Sequence, residues 1–154
     1  MISIHSWKAV FAAAFMSIMV ADASATDSTP DEEVGGETPL VLALGGNDYG
    51  TYCASCHGVT GHGDGPVAEF LALTPTDLTK LARNSGGKFP SARVTEMIDG
   101  RQEVKTHGPR DMPVWGDWFD AEAEAPGLRP SEREIVVRER IRALVSYLMT
   151  MQEK

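Results

Sequence analysis

The sequence predicts an all-α domain with substantial loop. Three stretches place apolar or small residues at helical spacing, no stretch shows the strict alternation of a half-buried strand, and no internal repeat divides the chain. Its 154 residues suffice for one core, and part of that length does not read as mature protein.

Residues 1–25 carry one cation, Lys8, then the apolar run Ala9 to Ala21, then Ala23-Ser24-Ala25 before Thr26. This is the pattern of a secretory signal peptide. The run is 13 residues long, short of the roughly 20 that a membrane-crossing helix needs. No later run approaches that length, so the mature chain is expected to lack a membrane span and to work outside the cytoplasm, most simply in a periplasm. Residues 26–39 hold five acids (Asp27, Asp31, Glu32, Glu33, Glu37) and two prolines, with nothing for a core, and read as a flexible acidic tail. The folded domain is expected over 40–154.

Within it, Leu40 to Tyr52 is mostly apolar or small, and Gly45, Tyr49 and Cys53 recur every four residues along one helical face. The prolines, glycines and asparagine between Gly58 and Pro90 predict loops with at most a short helix at 67–73. Ser91 to Ile98 reads as a helix with Val94, Met97 and Ile98 on one side and Gly100 as its stop. Arg101 to Pro130 reads as a long loop. The closing segment is predicted to be the longest helix: Ser131 and Glu134 form an S-x-x-E capping box, and Ile141, Leu144, Val145 and Leu148 keep helical spacing.

The charge balance of 14 basic and 22 acidic side chains gives a net charge of -8, which disfavours nonspecific binding to nucleic acid. The charge is also unevenly distributed. Residues 26–79 contain nine acids and no lysine or arginine, whereas residues 80–110 contain seven bases and three acids.

The two cysteines stand in Cys53-Ala54-Ser55-Cys56-His57. A disulfide across two intervening residues would remove little entropy from the unfolded chain, so a stabilising bridge is a poor explanation. C-x-x-C-H is the attachment pattern of c-type haem. On the turn that follows a helix, two thiols three residues apart reach the two vinyl groups on one edge of the porphyrin, and the next residue turns its imidazole to the iron. A thiol redox site would want a βαβ context, and a zinc site two further soft ligands where only His62 and His107 remain. The expected cofactor is one covalent haem c.

From about Leu40 to Gln152 the chain resembles the class I cytochrome c family. Gly45 and Tyr49 match the glycine and aromatic with which that family's first helix crosses its last, and Leu144, Tyr147 and Leu148 match the last helix. Three to four helices around one covalently attached haem, with long loops, are then expected. Gly65-Pro66 matches the family's G-P, whose proline carbonyl accepts the Nδ1 hydrogen bond of the ligating histidine, and the resemblance carries that role to Pro66. For the sixth iron ligand the chain offers Met97, Met112 and His107, with His62 as an outsider. Asp111-Met112-Pro113-Val114-Trp115-Gly116 is similar to the family's M-P-x-W-G ligand loop, which favours Met112. Met97 reads instead as core filler, and His107 as a loop histidine able to swing in. Trp115 and Trp118 are expected to cover the haem. Arg101 is expected to pair with a haem propionate or to be a solvated surface arginine.

The resemblance implies a one-electron carrier and not an enzyme, with iron held by His57 and Met112 and passing between Fe(II) and Fe(III). Its partners would be a donor and an acceptor redox protein; the uneven charge points either to a basic rim of Lys88, Arg101, Lys105 and Arg110 flanking the haem edge, where they would dock, or to an evenly solvated surface without such a rim. The competing expectation is a haem enzyme or small-ligand sensor in which the sixth ligand is labile.

Overall fold

The structure, a computed structural model, describes residues 37–101 and 112–153. The expected leader, residues 1–25, and the acidic tail up to residue 36 lie outside the described residues. Among those described every regular element is helical, as the sequence predicts.

α1 (Pro39–Asp48) begins on Thr38, whose extended backbone leads in and whose Oγ1 accepts the Val41 N–H at 3.4 Å. A proline at the first helical position loses no hydrogen bond there. Glu37, read from the sequence as tail, pairs with Arg142 and accepts from the Ser146 hydroxyl at 3.1 Å, so it belongs to the folded part. A π-helical turn (Tyr49–Cys53) joins α1 to α2 (Ala54–His57), and the helical path runs unbroken into the two cysteines.

The predicted crossing of first and last helices is present. α6 (Pro130–Thr150) is the longest helix, and a Cβ placed on Gly45 of α1 would lie 2.0 Å from the Ala143 carbonyl oxygen. Only a residue without a side chain allows backbones that close. Tyr49 meets Tyr147 across the same crossing, with ring centroids 5.4 Å apart and planes tilted by 45°, and its hydroxyl donates to the Gly58 carbonyl at 2.6 Å. Val137, Ile141, Leu144, Val145 and Leu148 bury the inner face of α6 against the other helices.

α6 starts earlier than its sequence suggests. Pro130 takes the first position, so the acid three residues past the cap is Glu132, which reaches back to the Arg129 N–H at 2.7 Å. Glu134, the expected capping acid, is left for another task.

Between these helices the chain forms short 3-10 turns at Ala68–Phe70 and Leu78–Lys80, then α3 (Leu81–Asn84) and α4 (Ser91–Asp99). α4 buries Val94 and Ile98 and ends at Gly100, whose left-handed backbone donates to the Glu96 carbonyl at 3.0 Å, as expected. The predicted long loop from 101 to 130 is corrected by α5 (Trp115–Glu122). Phe119 of α5 is wholly buried, and Arg140 of α6 lies 4.0 Å over its ring. Trp115 and Phe119, four apart, supply a short apolar face that the flanking Pro113 and Gly127 obscure in the sequence. Arg140 also bonds Asp48 through both of that carboxylate's oxygens at 3.0 Å and Glu122 at 2.7 Å, tying α1, α5 and α6 together. No described helix is long and apolar enough to cross a membrane.

Candidate functional site

A helix end exposes its last four carbonyls, and the loop after α2 satisfies all four. Gly58 N–H donates to Ala54 at 2.9 Å, Val67 to Ser55 at 2.9 Å, Gly65 to Cys56 at 3.1 Å and Gly63 to His57 at 2.8 Å. The segment 58–67 therefore wraps the C-terminal end of the C-x-x-C-H turn and fixes its backbone.

On the other side of that turn lies a cleft of about 550 Å³, within the roughly 300–1,000 Å³ of small-molecule sites. Cys53, Cys56 and His57 line it, as do Met112, Pro113 and Trp115 from the far side of the sequence. Leu71, Leu78, Leu81, Val94, Ile98 and Leu144 add apolar surface. Two thiols, an imidazole and a thioether facing one largely apolar cleft form a donor set suited to a flat, apolar, iron-bearing ring attached at one edge.

The His57 imidazole is anchored by Nδ1, which lies 3.1 Å from the Thr76 carbonyl oxygen. That bond orients the ring and leaves Nε2 for a metal. Burial lowers the His57 pKa against the opposing pull of the Thr76 bond, which favours the neutral, ligating form. The expected acceptor, the Pro66 carbonyl, is thereby corrected. Gly65 and Val67 on either side of Pro66 are committed to the outer face of α2, so Pro66 sits exposed and outside the cleft lining. Pro75-Thr76 crosses the imidazole instead. Asp77 holds that stretch by accepting from the Thr79 N–H at 3.0 Å and its hydroxyl at 2.6 Å, and by pairing with Lys80. The Lys80 and Thr79 bonds keep the Asp77 carboxyl well below the usual carboxylate range. Pro75-Thr76-Asp77-Leu78, a polar turn after a proline, was the available sequence signal for this anchor.

Burial, with the nearby Asp48 and Cys56, pushes the Cys53 thiol up to about 12. A thiol–disulfide catalyst needs a stabilised thiolate, and Cys53 has the reverse.

Met112 is half-buried, packs against the core and lines the cleft. Met97 lines it as well but is 45 % exposed, so it is rim and not the core filler its spacing suggests. Val94 and Ile98 take the buried face of α4. His62 is outside the cleft lining, 3.6 Å from Asp77. His107, Lys105 and Arg110 lie outside the described residues. Trp115 covers the cleft as expected, whereas Trp118 is 54 % exposed, meets Trp115 edge-on at 6.5 Å and donates to Glu122 at 2.8 Å. Arg101 does not line the cleft: its side chain is 26 % exposed and clamped between Asp99 and Glu134. Lys88 is exposed.

Residues 42–125 match the sequence profile of the family described as cytochrome c oxidase, cbb3-type, subunit III. No curated protein and no solved structure matches the chain significantly.

Proposed function

The chain belongs to the family of cytochrome c oxidase, cbb3-type, subunit III, c-type cytochrome domains that bind haem c covalently, and we propose that it is a one-electron carrier of an extracytoplasmic electron-transfer chain. The supporting observation is that Cys53, Cys56 and His57 of one turn and Met112, 55 residues further along the chain, converge on one cleft. Bound haem supplies the one-electron Fe(II)/Fe(III) chemistry. The chain's residues do the rest. Cys53 and Cys56 would hold the ring edge by thioethers, and His57, oriented by Thr76, would ligate its iron. Met112 would supply a second ligand to that iron and so keep oxygen and peroxide from binding it. Trp115 and the leucines of the cleft exclude water, and the potential follows from that exclusion together with the two ligands. The segment 1–25 directs export to the periplasm, where covalent attachment retains the cofactor. Partners are a donor and an acceptor redox protein.

Two measurements on protein from cells competent in haem attachment test this. Intact mass after acid and organic extraction should exceed that of the bare mature chain by about 616 Da, the haem added across two thioethers. An unmodified mass defeats the proposal. In the oxidised protein, Met112→Ala should abolish the near-infrared sulfur-to-iron band and admit cyanide, while Met97→Ala leaves both as in wild type. Absence of the band from wild type would favour an enzyme or sensor with an open iron.

A further inference from the structure

Arg101 and Met112 stand at the two ends of the segment 102–111, and the carboxylate partners of Arg101 come from two different helices. Its Nε donates to Asp99 Oδ1 at 2.6 Å and its Nη2 to Asp99 Oδ2 at 2.8 Å. On the other side Nη1 reaches Glu134 Oε2 at 2.7 Å and Nη2 reaches Glu134 Oε1 at 3.0 Å. The guanidinium thus makes a two-bond contact to each of two carboxylates, the planar geometry in which an arginine fork is strongest and most directional. Asp99 is the last residue of α4, and Glu134 lies in the first turns of α6.

The same group touches the start of α5. A Cβ on Gly116 would lie 2.2 Å from Asp99 Oδ1 and 2.4 Å from Arg101 Nε, so the ion pair lies flat against the Gly116 backbone. Gly116 is buried, follows the cleft-lining Trp115, and is four residues past Met112. The rest of the path, Pro113 and Val114, is short and stiffened by the proline.

We propose that Asp99, Arg101 and Glu134 are positioning residues for the sixth iron ligand: by fixing the backbone at Gly116 they hold Met112 in the cleft. The inference rests on the reading of Met112 as that ligand. Two carboxylates around one guanidinium also make the device sensitive to loss of its cation. Without Arg101, Asp99 and Glu134 face each other as like charges, which drives the α4 end from α6 and releases the start of α5. Arg101, bonded first to Asp99 and then to Glu134, has its pKa raised, and both carboxyls are held below their ordinary values, so all three stay charged near neutrality.

The test uses haem-loaded protein and imidazole, which competes with a thioether for ferric iron. The milder Glu134→Gln, which weakens the two bonds to Glu134, should raise apparent imidazole affinity roughly tenfold, the factor that corresponds to about one charge-assisted hydrogen bond, and Arg101→Gln, which removes all four bonds, should raise it further. The near-infrared band should disappear at correspondingly lower imidazole. Arg133→Gln serves as the control, because it breaks the 3.1 Å pair with Asp120, also between α6 and α5, without touching Gly116. Its imidazole affinity should match wild type. If Met112→Ala loses the band but Glu134→Gln binds imidazole as wild type does, or if Arg133→Gln binds it as tightly as Glu134→Gln, the clamp is wrong and the ligand reading stands. If Met112→Ala keeps the band, the ligand reading fails and the clamp falls with it.

Discussion

Replacing Gly45 by alanine sets two effects of opposite sign against each other. Intrinsic helix propensity favours alanine within a helix by about 0.5–1 kcal/mol. The crossing with α6 opposes it, since the new Cβ would lie 2.0 Å from the Ala143 carbonyl oxygen and 2.5 Å from its carbon. Ordinary contact distances are about 3.5–4 Å, so the helices must part by roughly 1.5 Å. The atoms that must yield are backbone, and the shift would be felt at the Tyr49–Tyr147 contact and at buried Leu144 and Leu148. Overpacking of this kind costs about 1–3 kcal/mol, sometimes more, and a backbone clash belongs at the upper end, leaving a net loss of about 2 kcal/mol. With about 4 °C per kcal/mol for a domain of this size, Tm should fall by about 8 °C. Gly50 is the matched control: it lies in the same helical path without left-handed backbone, and a Cβ there meets nothing within 4 Å. Gly50→Ala should therefore be neutral or slightly stabilising. Far-UV circular dichroism melts of the haem-loaded variants decide the matter. A Gly45→Ala protein at least as stable as wild type would refute the crossing geometry, and an equal loss in both variants would show that the effect is not steric.

The Thr76 anchor predicts that Asp77→Ala, by loosening the turn behind that carbonyl, weakens the His57 bond, makes the imidazole a poorer donor to iron and raises the reduction potential, whereas Pro66→Ala leaves it unchanged; protein-film voltammetry reads both. Acid melts should show the Asp99–Arg101–Glu134 cluster. Its carboxyls are lowered from 3.8 and 4.5 by bonds to Arg101, so their contribution is fully present above those ordinary values and is lost as pH falls through the lowered, folded-state values. Glu134→Gln should accordingly be less stable than wild type near neutrality and converge with it in strong acid, and a gap that persists or widens there would contradict the pairing. Amino-terminal sequencing of the exported protein should begin at Thr26, and an intact Met1 on mature protein would refute cleavage.

The helical class was legible from spacing every three or four residues, and the α1–α6 crossing from the family resemblance carried by Gly45, Tyr49 and Tyr147, which puts a glycine where two backbones must touch. What the sequence hid follows from competition between signals. α5 escaped because Pro113, Gly116 and Gly127 punctuate the stretch, yet Phe119 finds complete burial against α6, and that burial outweighs weak local propensity. The start of α6 moved because Pro130 and Glu132 together satisfy the first turn better than Ser131 and Glu134 do, and this freed Glu134 to meet Arg101 from 33 residues away. No local pattern encodes a pairing of that separation.

The candidate site divides along the same line. Cys53, Cys56 and His57 form one turn, so their joint presence at the cleft needs only local geometry, and the Met112 loop carries its own stiffening proline. The histidine's anchor is different, because any carbonyl can accept a hydrogen bond and the residue type leaves no mark on it. Pro66 resembled the acceptor by sequence, but Gly65 and Val67 spend their N–H groups on Cys56 and Ser55. The chain must close the end of α2 before it can do anything else with that loop. The carbonyl that reaches Nδ1, that of Thr76 nineteen residues from His57, is consequently the one held in place by a separate device, the Asp77 turn. The acceptor thus depends on which backbone remains uncommitted once α2 is capped, a property of the whole loop from 58 to 80 that no single residue in it displays.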